Sequence, residues 1–99
     1  MKIIKRKTLE EFWKKHANAK GSLDAWFHEM KKGAFPTPQS IKNRYASASI
    51  IEGNRVVFNI AGNKYRLIVG FAYEQQFGYI KFIGTHAEYD KVNAATVGG

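Results

Sequence analysis

The stretch Arg55-Val56-Val57-Phe58-Asn59-Ile60-Ala61-Gly62-Asn63-Lys64-Tyr65-Arg66-Leu67 decides the fold. Val56, Phe58 and Ile60 alternate with Arg55, Val57 and Asn59, the period of two with which a strand buries one face. The alternation resumes at Tyr65 and Leu67. Between the two runs, Gly62-Asn63 is a hairpin signal, because both residues tolerate positive φ. With that pair at the tip, Ile60 lies opposite Tyr65, Asn59 opposite Arg66, and Phe58 opposite Leu67. The pattern predicts strands from Asn54 to Ile60 and from Lys64 to Tyr73. A looser turn at Glu74 to Phe77 and a last strand from Gly78 to Ile83 follow. Ser49 to Ile51 reads as a short strand before the Glu52-Gly53-Asn54 turn. Such a meander is antiparallel.

Outward from this sheet, the first half of the chain is helical. Met1 to Lys5 is a short candidate strand. Thr8 with Glu11 has the spacing of a capping box, and Leu9, Phe12, Trp13 and His16 share one face of a predicted helix over Leu9 to Ala17. Ser22 is the predicted cap of a second helix, which runs to Lys32 with Leu23, Trp26, Phe27 and Met30 inward. Gly33 stops it. Phe35-Pro36-Thr37-Pro38 is a rigid connector with at most one further helical turn, Ser40 to Asn43. Helices before strands indicate an α+β fold.

The whole chain has 99 residues, so one domain over 1–99 is expected, with residues 94–99, small and glycine-ended, as a flexible tail. It contains no cysteine, which removes disulfides and thiolate chemistry and fits a reducing cytoplasm. No apolar run approaches the ~20 residues of a membrane span, and the basic N-terminus lacks the apolar stretch of a signal peptide. No membrane partner is expected. Sixteen Lys and Arg against eight Asp and Glu leave a net charge of +8, which favours a polyanionic partner.

Alternation sorts the strands by face. Pairing Tyr73 with Gly78 sets Gly70 opposite Lys81 and Val69 opposite Phe82. One face then carries Val56, Phe58, Ile60, Tyr65, Leu67, Val69, Phe71, Ile80 and Phe82, for the helices to cover. The other carries Arg55, Val57, Asn59, Arg66, Ile68, Gly70, Ala72, Tyr79, Lys81 and Ile83. Its cations can track phosphate and its ring can stack on a base, and Gly70 and Ala72 leave room for close approach. A merely solvated polar face is the plainer alternative, and a one-residue slip would exchange the faces. Against the first stands the absence of any acid.

After the last strand, Thr85-His86-Ala87-Glu88 is a second capping-box pattern, placing a short C-terminal helix. His86 falls in its first turn. Tyr89 follows three residues on and Asp90 four, within reach of the same side. Thr85 and Glu88 read as caps. His86 stands open between a solvated residue and a proton-transfer group, while His16 and His28 read as structural. No Cys, His, Asp and Glu spacing suits a metal, and no phosphate-binding loop or dinucleotide fingerprint occurs, so no cofactor is expected.

The hairpin quoted above, together with Tyr79-Ile80-Lys81-Phe82-Ile83-Gly84-Thr85-His86-Ala87-Glu88-Tyr89-Asp90-Lys91, resembles the HigB family of toxins. The likeness is detailed in the second half and looser in the first. It implies a RelE-like fold, two N-terminal helices on one face of a mainly antiparallel sheet. It implies a ribosome-dependent endoribonuclease that cuts messenger RNA. It also implies a helix-turn-helix, HigA-like antitoxin, through which alone the toxin meets operator DNA. By the same resemblance, Arg66 and Lys81 match the family's sheet cations, and His86 or Tyr89 its C-terminal catalytic position.

Metal-free RNA cleavage by the 2′-hydroxyl needs a base, an acid and cations for the charge growing on phosphorus. In that scheme Arg66 clamps phosphate and Lys81 is a second cation. His86 moves protons, oriented by Asp90, and Tyr89 or Tyr79 stacks or donates. Asn59 holds the guanidinium or touches RNA, and Arg55 and Lys64 add RNA contacts. Two other readings are a basic RNA- or ribosome-binding module that does not cut, and a degenerate toxin kept as a regulatory partner.

Overall fold

A computed structural model describes all residues, Met1–Gly99. In chain order the elements are β1 (Lys2–Ile4), α1 (Arg6–Lys15), α2 (Lys20–Lys32), α3 (Pro38–Arg44), β2 (Ser49–Ile51), β3 (Arg55–Ile60), β4 (Tyr65–Ala72), β5 (Phe77–Thr85) and α4 (His86–Tyr89). They form one five-stranded sheet in the order β1-β5-β4-β3-β2. All neighbours are antiparallel except β1, which pairs parallel with β5 (Lys2 with Phe77, Ile4 with Tyr79). The α+β class and the RelE-like architecture expected from the sequence are both present.

The hairpin register is the one alternation predicts: Ile60 with Tyr65, Asn59 with Arg66, Phe58 with Leu67. Ala61 and Gly62 both take positive φ, 53° and 73°, which reverses the chain between β3 and β4. Leu9 of α1 and Leu23, Trp26, Phe27 and Met30 of α2 are buried, and they pack on Val56, Phe58, Ile60, Leu67, Val69, Phe71 and Ile80. Phe58 lies at the centre. The rings of Trp26, Tyr45 and Phe71 meet it edge-on at 5.4, 5.2 and 6.3 Å.

Three helix starts differ from expectation. Helix α1 begins at Arg6, not Leu9, and Thr8 lies inside it without capping. Pairing with β5 ends β1 at Ile4, and Lys5 turns the chain at once with φ 70°. Helix α2 begins at Lys20 without a side-chain cap, since a 3₁₀ turn over Ala17–Ala19 feeds into it. Ser22 therefore lies within α2. Helix α3 is seven residues, longer than one turn. Thr37 caps it by accepting from the Ser40 amide, and Pro38 follows at the first position, where a missing N–H costs nothing.

The register between β4 and β5 also differs. Gly70 pairs with Tyr79 rather than Lys81, and Val69 with Ile80 rather than Phe82. A bulge between Ile68 and Val69 on the β4 side then places Ile68 opposite Phe82 and Leu67 opposite Ile83. Lys81 is the extra residue, and an extra residue inverts the parity of everything beyond it. Phe82 accordingly leaves the helix-covered face, and Ile83 joins it and packs on the core.

The far face of the sheet is not bare. The segment Asn93–Gly99, whose residues 94–99 are the expected flexible tail, runs back over it through consecutive turns. Thr96 and Val97 donate from their amides to the Asn93 carbonyl, and Gly99 to that of Thr96. Val57 and Ile68 point to this face yet are 4% and 0% exposed.

Candidate RNA-cleaving corner

Pairing brings the start of β4 beside the end of β5, Arg66 opposite Gly84 and Tyr65 opposite Thr85. Helix α4 begins immediately after. Thr85 Oγ1 accepts from the Glu88 amide at 3.2 Å, and the Glu88 carboxylate accepts from the Thr85 amide at 2.8 Å. The capping box read from the sequence is thus formed. The His86 amide donates to the Lys64 carbonyl at 3.3 Å, tying α4 to the β3–β4 turn.

This anchoring sets two pairs of the expected site residues at one end of the sheet. The Arg66 guanidinium lies 5.9 Å from the centroid of the Tyr89 ring, and its Nη1 donates to the carbonyls of Asn63 and Tyr65. His86 Nδ1 stands 3.5 Å from Asp90 Oδ2, an ion-pair distance rather than a hydrogen bond. Both side chains are more than half exposed, so a substrate can reach them. Lys64 is exposed on the adjoining turn.

The other expected residues fall elsewhere. The Lys81 amine lies 5.6 Å from the Tyr79 ring and donates to the Gly99 carbonyl. Its stem fills the room above Gly70, with Cε 3.1 Å from where a Cβ would stand. Gly70 is four residues from Arg66, about 13 Å along a strand. Arg66 and Lys81 thus project from one face of the sheet, with the Lys81 stem four residues along β4 from Arg66. Asn59 does pair across from Arg66, but its side-chain amide donates to the Ser47 carbonyl and leaves the guanidinium alone. Arg55 is only 5% exposed, beneath the C-terminal segment.

A groove of about 600 Å³ that the sequence reading missed lies between α1 and the β5–α4 junction. Lys14, Lys15 and His16 line one side, Ile83 and Glu88 the other. The His16 ring stacks on Phe12 at 4.4 Å and meets the Tyr65 ring at 5.6 Å. The i,i+4 spacing of Phe12 and His16 was visible. The turning of Ile83 toward α1 depends on the bulge and was not.

The Glu88 carboxyl is held below its ordinary range, mainly by the Thr85 amide, with His16 and Lys91 adding to the effect. A carboxyl depressed by folding contributes stability at pH above its unfolded value and loses it as pH falls through the folded value. Thr85→Ala, which keeps the backbone amide but removes the Oγ1 cap, should cost about 1 kcal/mol in a thermal melt at neutral pH. The stability gap between wild type and Glu88→Gln should close on acidification through the carboxylate range.

No three His, Asp or Glu side chains converge as metal ligands, and no helix is long and apolar enough to cross a membrane. The mainly antiparallel sheet under its helices, with cations on the far face and at the strand ends, is the build of a RelE-like toxin. The sequence pattern described as HigB toxin, RelE-like toxic component of a toxin-antitoxin system, matches residues 19–92. The chain belongs to this family and is the toxic partner of an antitoxin. It is 33% identical over 92 residues to the mRNA interferase toxin HigB of Escherichia coli K12, across 91% of this chain and 88% of that one. An mRNA interferase HigB of Escherichia coli O6:H1 is 27% identical over 94 residues, 93% and 91% of the two chains.

Proposed function

We propose that this chain is an mRNA-cleaving toxin that acts on ribosome-bound messages in the cytoplasm and is neutralised by a HigA-like helix-turn-helix antitoxin, its link to operator DNA. The whole of residues 1–99 serves as one toxin domain. The observation that carries the reading is the exposed end of the sheet, where the Arg66–Tyr89 pair and the His86–Asp90 pair both stand at the β4–β5–α4 junction. Its relatives' names supply the substrate, messenger RNA.

The chemistry follows from what those groups can do. The 2′-hydroxyl attacks the neighbouring phosphorus, the bond to the 5′-oxygen breaks, and a 2′,3′-cyclic phosphate and a free 5′-hydroxyl remain. A planar guanidinium can donate two parallel bonds to the phosphate oxygens as their charge grows. Arg66 has that role. Histidine is suited to moving protons near neutral pH, and His86, steadied by Asp90, takes or gives the proton at one of the two oxygens. Tyr89, beneath the guanidinium, positions it and offers a ring to a base. Lys64 lies on the approach, and Lys81 and Tyr79 serve a second station on the strand. No metal is required by this scheme.

A single 2′-deoxy substitution at the scissile nucleotide of a ribosome-bound message should stop cleavage there and leave other sites intact. Continued cutting at the substituted position would exclude the 2′-hydroxyl route.

A further inference from the structure

We propose that the C-terminal segment Asn93–Gly99 is a displaceable strap, occupying in cis an anion subsite built by Arg55 and Lys81 that RNA phosphate takes when the strap lifts. This deepens the RNA-cleaving reading above and rests on it.

Arg55 carries the observation. It is 5% exposed, yet it takes part in none of the chain's ion pairs. A guanidinium largely shielded from water without a counter-charge is costly. Its only hydrogen-bond partners are two backbone carbonyls, Ala94 at 3.0 Å and Val97 at 2.6 Å, both reached by Nη1. The remaining donors of the fork have no protein acceptor. Carbonyl oxygens carry only partial charge, and a phosphate presents full charge in the same geometry, so exchange of one for the other favours the phosphate.

Lys81 touches the same segment. Its amine donates to a backbone oxygen of Gly99, beside a cleft of about 220 Å³ lined by Arg55, Gly70, Tyr79 and Lys81. Gly98 lies against the Lys81 backbone with φ 74°, and a Cβ there would collide with the Lys81 carbonyl oxygen. The strap is fastened by backbone groups and fits only with glycine at that point. It also lies beyond the residues that match the family pattern, which end at 92.

The strap thus covers one station of the RNA path and leaves the Arg66–His86 corner open. A site that is free for only a fraction of the time shows an affinity reduced by that fraction.

The test uses a fluorescent single-stranded RNA, 2′-O-methylated throughout so that it is not cut, titrated at fixed salt by anisotropy. Gly98→Val and a chain ended after Val92 should each bind about fivefold tighter than the full chain or better. Their salt dependence should be steeper, as newly exposed cations release more counterions. Arg55→Gln in the shortened chain should remove the gain. Folded variants that bind no tighter, or a gain that survives Arg55→Gln, would overturn the proposal. Hydrogen exchange on the full chain covers the case in which the variants unfold. RNA should speed exchange at the amides of Thr96, Val97 and Gly99 and spare the sheet, and unchanged protection there would equally overturn it. The two readings fail separately. New messenger RNA ends in cells without tighter binding would sink the strap alone, and tighter binding without any cleavage would sink the nuclease alone.

Discussion

Arg66→Ala is expected to abolish growth inhibition and to lower mRNA cleavage by about 10²–10³-fold, the loss typical of removing one donor to a developing oxyanion. His86→Ala should cost about 10²–10⁴-fold through loss of proton transfer. Neither change should unfold the protein. Arg66 donates only to carbonyls of neighbouring turn residues, and the His86 side chain is more than half exposed. Single-turnover cleavage of a ribosome-bound message measures both. If the two groups act on one phosphate, as proposed, the double variant falls well short of the product of the single losses. Cleavage retained by both single variants would remove the corner from the mechanism.

Phe58→Ala is expected to destabilise the fold by about 3–5 kcal/mol, the range for deleting a buried ring and leaving its cavity. Phe58 is 1% exposed and is met edge-on by rings from α2, from the Tyr45 connection and from β4. No single neighbour can collapse into the space, because each is held by a different element. Against a total stability of about 5–15 kcal/mol for a small domain, such a loss leaves a large unfolded fraction at growth temperature. Chemical denaturation should show the midpoint falling with an unchanged slope. A loss under about 1 kcal/mol would mean that Phe58 does not join helices to sheet, against its place in the core.

The parts of this fold that are legible in the sequence are those where side-chain pattern and backbone geometry demand the same thing. The β3–β4 hairpin is one: strong alternation on both arms and a glycine at the turn leave one register that buries Phe58 and Leu67 together. The capping box at Thr85 is another, since a strand must end there and a helix begin. The same pattern at Thr8 misleads, because the position of β1 against β5 starts α1 earlier.

The bulge at Lys81 was not legible. Phe82 and Ile83 are both apolar, so either can face the core without breaking the pattern, and only the shape of the paired strands decides. The docking of Asn93–Gly99 was hidden for a different reason. It is fastened through its carbonyls, which every residue possesses, and small residues without periodicity carry no mark of such a contact. For the candidate site, residue types were visible and their grouping was not. The Arg66–Tyr89 and His86–Asp90 pairs share one end of the sheet because strand ends adjoin there, whereas Lys81 and Arg55 touch the C-terminal segment.

The most direct measurement is a genome-wide map of messenger RNA 5′ ends shortly after induction of the chain in cells, with the Arg66→Ala variant as control. New ends bearing a 5′-hydroxyl within translated regions, present for the wild type and lost in the variant, are the expected result. Growth arrest without new ends, or the same ends in both strains, would contradict cleavage by this corner.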